Sequence, residues 1–368
     1  MWKNESDALM AIFSKRSFVG IDIGSFALKA VQVEKSGNTW RVSKSVTAPT
    51  PSDSIRDGVV IEVEVVGAAI KSMLMSAGIW ATNAHIATSG PSVFVRVVPF
   101  PKMTEAVLRK SIKYEAGRYV PGSIEDSYIE FEIIGPINDT QMSVLIVAAP
   151  REIVESRMRA CEAAGLEVDS VDIDVFASYR SLLESTGDST IPDTTVALVD
   201  VGSVSTSVSV VDRGVFSMYR SIPAGGQTLT DELKKKFSLS DEDAEAGKAQ
   251  LDVKGILRDS SGEGSQPLKV IQPHLEDLVR EIRRSTNFYQ AQQQDGGEGR
   301  QVDRIILSGG GAKMNGLAEY LAERLSIPVT SPGVFGNPRI LPPGPNFEPG
   351  HDLAVATGLA LKSYGRVA

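Results

Sequence analysis

An aspartate followed by a Gly-Ser turn and an alternating strand is the pattern in this sequence best suited to chemistry. Residues 18–34 read FVGIDIGSFALKAVQVE, with Asp22 near the end of an apolar strand and Lys29 just beyond the turn. Backbone N–H groups of such a turn cradle phosphate oxygens, a carboxylate can hold hydrated Mg²⁺ beside them, and a lysine adds positive charge. The stretch alone fits a hairpin that binds a nucleotide polyphosphate, and it also fits an ordinary β-hairpin.

The same pattern occurs a second time, about half the chain length further on. Residues 197–214 read ALVDVGSVSTSVSVVDRG, and Asp200 follows Asp22 at an offset of 178 (200 − 22 = 178). Ser207 takes the place of Lys29, so the two copies differ in charge. Repetition at this distance indicates two related lobes and not a short-period solenoid. Two such hairpins that face each other would hold one Mg-nucleotide between the lobes.

A run of three glycines is a third candidate site. Residues 304–325 read RIILSGGGAKMNGLAEYLAERL, and the pattern predicts a strand, then Gly309, Gly310 and Gly311, then a helix. Glycines let a flat ring approach the backbone, and a helix N-terminus favours anions. The chain has no G-x-x-x-x-G-K-[ST] sequence, so this is not a P-loop.

These stretches need elements that position them, and the hydrophobic pattern predicts an α/β chain of two lobes. Thr104 is expected to cap a helix that ends near Tyr119, within a small α+β module inserted in the first lobe. An apolar strand over residues 141–149 is expected to return to that lobe. The predicted parts are an N-terminal extension (1–17), a first-lobe core (18–49 and 138–190), an inserted module (50–137), a second-lobe core (191–225 and 302–368) and a second-lobe subdomain (226–301).

Composition argues against several functions. The net charge is −8 without a basic stripe, so no nucleic-acid partner is expected. Cys161 is the only cysteine, which excludes an intramolecular disulfide and fits a reducing compartment. No apolar run is long enough to span a membrane. Residues 1–17 do not resemble a signal peptide; we expect a disordered tail or a packed extension, although apolar residues there would allow marginal contact with a membrane surface.

In this order the pieces resemble the actin-like ATPase superfamily. The similar segments are DIGSFALK as a first phosphate hairpin, DVGSVST as a second, and LSGGGAKMNGL as an adenosine loop. Residues 171–183 and 351–362 resemble its two connecting helices. The resemblance runs from residue 18 to residue 362, and it implies a two-lobed, ribonuclease H-like α/β fold with ATP or ADP and Mg²⁺ bound between the lobes.

The resemblance also implies a role for each candidate residue. Asp22 and Asp200 would hold Mg²⁺ through water, and Lys29 would contact phosphate. The residues that would donate hydrogen bonds to the β- and γ-phosphates are Gly24, Ser25, Gly202, Ser203 and Thr206, and those that would flank the adenosine are Gly309, Gly310 and Gly311.

Two further roles follow from the same resemblance. Glu245 and Lys248 match the pair that reaches the ribose and adenine, although a plain i,i+3 salt bridge explains them as well. Asp174, at the entry of the first connecting helix, matches the carboxylate that orients the attacking water. Aspartate is one carbon shorter than glutamate, so we expect any hydrolysis of ATP to be slow.

The inserted module is similar to one family in particular, the type IV pilus assembly protein PilM family, which is related to the cell-division protein FtsA. The similar segments are residues 98–134, 148–174, 222–230 and 239–248. The resemblance implies a cytoplasmic platform that binds the N-terminal peptide of PilN in a groove near residues 97–119, by strand addition or pocket capture. Through PilN it would join the PilN/PilO inner-membrane complex, and the pilus motor ATPases and the platform protein are further candidate partners.

Two other functions remain open from the sequence. One is a filament-forming bacterial actin homologue similar to FtsA, for which self-association would be required. The other is a small-molecule kinase of the same fold, which would need a general base and an acceptor pocket between the lobes. Nucleotide-dependent pelleting would reveal the filament, and acceptor-dependent release of ADP would reveal the kinase.

Overall fold

Two large β-sheets form the framework of the chain, and one aspartate hairpin belongs to each. The computed structural model describes residues 17–258, 265–292 and 300–365. The first sheet has six strands, the second has five, and a smaller sheet has three. The two large sheets correspond to the two lobes that the repeated hairpin predicts.

The first sheet contains the first hairpin at its centre. Its strands, in spatial order, are β10 (Glu167–Ile173), β6 (Asn83–Thr88), β1 (Phe18–Ile23), β2 (Ala27–Ser36), β3 (Thr39–Pro49) and β16 (Ile340–Leu341). β1 pairs antiparallel with β2 and parallel with β6. Val19, Ile21 and Ile86 form a buried core with apolar side chains of the helices α1 (Val63–Ser76) and α3 (Arg151–Ala163).

The second sheet carries the second hairpin and the strand before the glycine run. Its strands, in spatial order, are β13 (Val215–Ile222), β12 (Thr206–Asp212), β11 (Thr195–Val201), β14 (Arg304–Ser308) and β15 (Val329–Thr330). Side chains of five helices complete its core. These helices are α5 (Gly226–Phe237), α6 (Asp241–Ala249), α7 (Lys254–Arg258), α8 (Gln266–Gln292) and α9 (Leu317–Leu325).

Two helices pack between the large sheets, as the sequence predicts for the connecting helices. They are α4 (Asp174–Leu182) and α10 (Ala354–Leu361). One buried cluster joins Val33 of the first sheet, Leu198 of the second sheet and Ala356 of α10. Gly358 lets α10 approach α4 closely, because a Cβ at this position would collide with the carbonyl oxygen of Ala177. The absence of a side chain at Gly358 therefore sets how close the two helices lie.

The inserted module is a three-stranded sheet with one helix. Its strands, in spatial order, are β7 (Phe94–Pro101), β9 (Gln141–Pro150) and β8 (Ser127–Pro136), and its helix is α2 (Glu105–Ala116). The Thr104 hydroxyl oxygen accepts a hydrogen bond from the Val107 N–H group, which confirms the predicted cap.

Two predictions about the extent of the insertion are wrong. β6, which was expected inside residues 50–137, pairs with β1 and β10 in the first sheet. The apolar strand over residues 141–149, which was expected to return to the first lobe, is β9, the central strand of the module. The apolar pattern of a strand indicates that the strand is buried, but it does not identify the neighbour with which the strand pairs. The remaining strands are the short pair β4 (Ile55–Arg56) and β5 (Val59–Val60).

No helix within the described ranges is long and apolar enough to cross a membrane.

Candidate nucleotide site

The two hairpins have equivalent backbone geometry. Asp22 is paired with Lys29 in the first hairpin, and Asp200 is paired with Ser207 in the second. The two aspartates, which are 178 residues apart in sequence, therefore occupy the same pairing position in their hairpins.

The turns close in the same way. The Gly24 N–H group donates to the Ala27 carbonyl over 3.2 Å, and the Gly202 N–H group donates to the Ser205 carbonyl over 3.0 Å. Ser25, one residue further along the first turn, is exposed. Each turn is thus a tight backbone loop that begins two residues after its aspartate.

Lys29 forms an ion pair with the aspartate of its own hairpin. Its ammonium nitrogen lies 2.8 Å from Oδ2 of Asp22. Burial lowers the pKa of Lys29, but the charges of Asp22, Asp352 and Asp200 outweigh burial, so the pKa is raised above its ordinary value. Lys29 is therefore charged, and it lies in the cleft between the two hairpins. Its ammonium group is bound to Asp22 in this structure, so its contact with phosphate stays a prediction.

Asp200 is half-buried, and no basic side chain in the described ranges forms an ion pair with it. Burial raises the pKa of its carboxyl, and this effect exceeds the opposite effects of a hydrogen bond from Ser308 and of the charge of Lys29. The Ser308 hydroxyl donates to Oδ2 of Asp200 over 2.8 Å. The sequence analysis did not single out Ser308, although its position at the end of the strand before the glycines was a usable signal.

Asp174 lies at the start of α4, as predicted, and the pKa of its carboxyl is strongly raised. Burial and the charge of Asp200 raise its pKa to about 8, and a hydrogen bond from the Val175 N–H group (2.7 Å) opposes the rise only in part. Asp22 contributes to the same rise. Neighbouring carboxylates that raise the pKa of Asp174 form a site that a cation would stabilise.

Mg²⁺ fits this donor set through water more readily than by direct coordination. Within the described ranges, no group of three or more His, Cys, Asp or Glu side chains is arranged to ligate a metal directly. Mg²⁺ commonly keeps several waters and takes one or two carboxylates together with substrate phosphates. Asp22 and Asp200 are the carboxylates that would hold those waters.

A buried arginine that the sequence analysis missed supports the first hairpin. Arg157 of α3 is only 4% exposed. Its guanidinium donates to the carbonyl oxygens of Ile23 (2.7 Å), Gly58 (3.2 Å) and Ala87 (3.5 Å). Burial lowers the pKa of Arg157, and the charges of Asp22 and Asp174 act against that lowering. Its position on the inward face of a predicted helix could have indicated that Arg157 is buried.

The glycine run lies beside the second hairpin. Gly309 has φ +88°, and a Cβ there would collide with the carbonyl oxygen of Val201 and with the Asp200 carboxylate. Gly310, in contrast, is exposed and has open space where a Cβ would be. The predicted order of strand, glycines and helix is confirmed, with a 3₁₀ turn over Gly310–Lys313 between the strand and α9, which begins at Leu317.

Glu245 and Lys248 form the predicted ion pair, and this pair is tied to α5. The Lys248 ammonium donates to Oε2 of Glu245 (2.7 Å), to the Thr230 hydroxyl (2.8 Å) and to the Gly226 carbonyl (3.2 Å). The Gly226 N–H group in turn donates to the Gly202 carbonyl over 2.9 Å. A short chain of contacts therefore links Lys248 to the second turn.

The remaining second-hairpin residues are engaged within the protein. The Ser203 carbonyl accepts a hydrogen bond from the Gln227 N–H group over 2.8 Å. The Thr206 hydroxyl is buried and donates to the Ala224 carbonyl over 2.7 Å. Donation from Thr206 to a phosphate would need that bond to break, and the same holds for the N–H groups of Gly24 and Gly202, which close their own turns.

A separate groove lies between the inserted module and the second sheet. It has a volume of about 520 Å³, and the side chains that line it come from β7, from the segment after α2 and from β13. Arg118 and Tyr119 belong to the range predicted for the peptide groove, whereas Val97 does not line it. Phe176 of α4 packs edge-on against Phe216 of β13, with ring centroids 5.0 Å apart, and both rings contact the buried cluster that includes Val93 and Val95.

Comparison with known proteins identifies the family. The profile of the type IV pilus assembly protein PilM family matches residues 20–364, nearly the whole chain. This chain belongs to the PilM family. A solved structure of a PilM-PilN type IV pilus biogenesis complex contains a similar chain, with a TM-score of 0.81, 27% identity, and coverage of 94% of this chain and 98% of that one.

More distant relatives share the fold of this PilM-family protein. MreB5 of Spiroplasma citri, solved with AMPPNP bound, has a TM-score of 0.52 at 15% identity, covering 95% of this chain and 97% of that one. The cell division protein FtsA of Bacillus subtilis (strain 168) is 20% identical over 364 residues, covering 87% of this chain and 79% of its own length. The predicted actin-like, two-lobed fold is confirmed.

Proposed function

We propose that this PilM-family protein binds ATP or ADP with Mg²⁺ between its lobes and uses the nucleotide to control a peptide-binding groove. The observation that carries the nucleotide part is the pair of equivalent hairpins, each with a half-buried aspartate near the end of its first strand and before a tight turn. The nucleotide-bound MreB5, of the same fold, supports this choice.

Each cleft residue has a defined task in this proposal. Asp22 and Asp200 hold the waters of Mg²⁺, and Lys29 supplies positive charge to the phosphates. The turn residues of both hairpins offer N–H and hydroxyl donors, Glu245 and Lys248 bind the ribose and base, and the glycine run flanks the adenosine. Bound Mg²⁺ would neutralise the negative charges of the phosphates and of the aspartate carboxylates.

Asp174 is the candidate for orienting an attacking water, which makes slow ATP hydrolysis part of the proposal. With a pKa of about 8, its carboxyl is largely protonated at neutral pH and accepts a hydrogen bond from water poorly. Ionisation becomes easier as pH rises or as a cation enters the cleft. Hydrolysis by the Mg-ATP complex is therefore expected to increase between pH 7 and pH 8.5.

The groove suits an extended peptide. β7 is an edge strand of the module, and β13 is an edge strand of the second sheet, so each has one side on which it pairs with no described strand, as strand addition requires. Three arginines line the groove, namely Arg96, Arg118 and Arg220. Because its walls belong to different lobes, closure of the lobes on a nucleotide would change its width and its affinity for the peptide.

The occupant that we propose is the cytoplasmic N-terminal peptide of PilN. The similar structure at 27% identity is a PilM-PilN complex, and this supports PilN over an unrelated peptide. In this proposal the protein works in the cytoplasm at the inner membrane, where PilN connects it to the PilN/PilO complex and so to the motor ATPases and the platform protein.

Titration of a synthetic PilN N-terminal peptide, with and without Mg-ATP, tests the proposal. Saturable binding of one peptide per chain is expected, with an affinity that changes when Mg-ATP is added. Arg96→Glu should weaken binding about tenfold or more, because it reverses a charge in the groove. Lys102→Glu makes the same charge change outside the groove and serves as the control. The absence of binding in both nucleotide states would contradict the PilN proposal.

A further inference from the structure

Tyr219 of β13 belongs to the peptide groove and also packs next to the helix start that carries Asp174. It lines the groove together with Arg220 and Ser221, which follow it in the strand. Its side chain also packs against a buried cluster that contains Val175, the residue directly after Asp174. One side chain therefore lies where the groove and the nucleotide cleft come closest to each other.

The cluster beside Tyr219 joins parts of the chain that belong to both lobes. Val95 of the inserted module, Ile173 of β10 and Val175 of α4 are buried members, and Phe216 and Tyr219 of β13 pack against them. Protein interiors are closely packed, have low compressibility and transmit strain. A shift of the second sheet relative to the first would therefore move the residues that line the groove.

The Tyr219 hydroxyl is buried, and within the described ranges it has no hydrogen-bond partner. Most buried polar side-chain atoms in folded proteins have such a partner. A buried donor without an acceptor gains more from a new interaction than a donor that is already bound. The hydroxyl is therefore suited to respond to a change in its surroundings.

The carboxylates of the cleft act on this hydroxyl. Burial and the negative charges of Asp174 and Asp200 raise the pKa of Tyr219 well above its ordinary value, and the nearby Ser221 hydroxyl and Gly90 backbone oppose the rise only in part. The phenol therefore keeps its proton at neutral pH. It is a hydrogen-bond donor in the electric field of two residues assigned to the nucleotide.

Binding of Mg-ATP would change this field. Because the pKa of Asp174 is about 8, its carboxyl is largely protonated at neutral pH, and a cation in the cleft favours the ionised form. Hydrogen-bond donors are attracted more strongly by an ionised acceptor than by a neutral one. Ionisation of Asp174 would therefore draw the Tyr219 hydroxyl, and with it the β13 wall of the groove, towards α4.

We propose that Tyr219 couples the two sites: its hydroxyl responds to the charge of the nucleotide cleft, and its ring positions the β13 wall of the peptide groove. The inference rests on the proposed function, since it requires Mg-nucleotide in the cleft and a peptide in the groove. Tyr219 is a positioning residue in this account.

Reciprocal calorimetric titrations test the coupling. The PilN peptide is titrated with and without Mg-ATP, and Mg-ATP is titrated with and without the peptide. The coupling factor is the change in Kd that one ligand causes for the other, and linkage requires the same factor in both directions. We expect about fivefold or more for the wild type and less than about twofold for Tyr219→Phe, which removes only the hydroxyl.

Tyr119→Phe is the matched control. Tyr119 lines the same groove from the side of the inserted module, where its ring packs against Phe100 with centroids 6.0 Å apart. This variant loses the same hydroxyl group from the other wall. It should keep the wild-type coupling factor even if it binds the peptide more weakly, because a contact that is equal in both nucleotide states cancels from the factor.

A wild-type coupling factor in Tyr219→Phe, or an equal loss of coupling in Tyr119→Phe, would overturn this inference and leave the proposed function intact. A wild type that binds both ligands without mutual effect would overturn the inference together with the proposed control by nucleotide. If the wild type fails to bind the peptide or Mg-ATP, the proposed function itself fails. The melting temperature of Tyr219→Phe should not fall, because the removed hydroxyl was buried and unpaired, so misfolding would not explain a loss of coupling.

Discussion

Replacement of Arg157 by methionine tests how the first hairpin is held in place. The guanidinium donates to the carbonyls of Ile23 and Gly58 at 2.7 and 3.2 Å, and more weakly to that of Ala87 at 3.5 Å. A hydrogen bond from a charged donor is worth about 1.5–3 kcal/mol, so the two shorter bonds together contribute about 3–6 kcal/mol. Methionine has a similar length and removes the cost of burying a charge, which offsets part of this sum.

We therefore expect Arg157→Met to lower the free energy of unfolding by about 3 kcal/mol, measured by urea denaturation. The affinity for Mg-ATP should fall as well, because the Ile23 carbonyl directly follows Asp22 and precedes the turn. Arg159→Met, on the exposed side of the same helix, is the control and should change stability by less than about 0.5 kcal/mol. A loss below about 1 kcal/mol for Arg157→Met would refute the assigned role of these bonds.

Three further predictions concern the cleft. Asp174→Asn should abolish the slow ATPase activity in a phosphate-release assay. The pKa of Asp174 in the folded protein is raised to about 8, so ionised Asp174 destabilises the fold, and the variant should become more stable relative to the wild type as pH rises from 4 to 8. A difference in unfolding free energy that stays constant over this pH range would contradict this. Gly309→Ala should lower the melting temperature through its positive φ and the clash with Val201, whereas Gly310→Ala should not; equal melting temperatures would contradict the geometry. Lys248→Met should weaken ATP binding about tenfold in calorimetry, and unchanged affinity would leave the residue a purely structural ion pair.

The hairpins were predictable because their information is local. A strand, an aspartate and a Gly-Ser turn within a dozen residues specify the geometry, and the second copy at an offset of 178 identified the pattern as meaningful. The structure adds the register, which pairs Asp22 with Lys29 and Asp200 with Ser207. The family resemblance added Asp174 to the predicted site, and this residue lies at the predicted start of a helix.

The remainder depended on contacts between distant parts of the chain. The acceptors of Arg157 are 134, 99 and 70 residues away in sequence, so helical periodicity could place the arginine inward but could not identify its partners. β9 was predicted as an apolar strand, but its sheet and that of β6 were assigned wrongly because strand pairing depends on topology. Ser308 became relevant only when β14 paired with β11 and brought it to Asp200.

Calorimetric titration of Mg-ATP into the wild-type protein and the Asp22→Asn, Asp200→Asn double variant tests the central claim most directly. We predict one nucleotide per chain for the wild type, with binding that requires Mg²⁺ and is at least about a hundredfold weaker in the double variant. Wild-type binding that persists unchanged in EDTA, or equal affinities of the two proteins, would contradict a nucleotide site built on the paired hairpins.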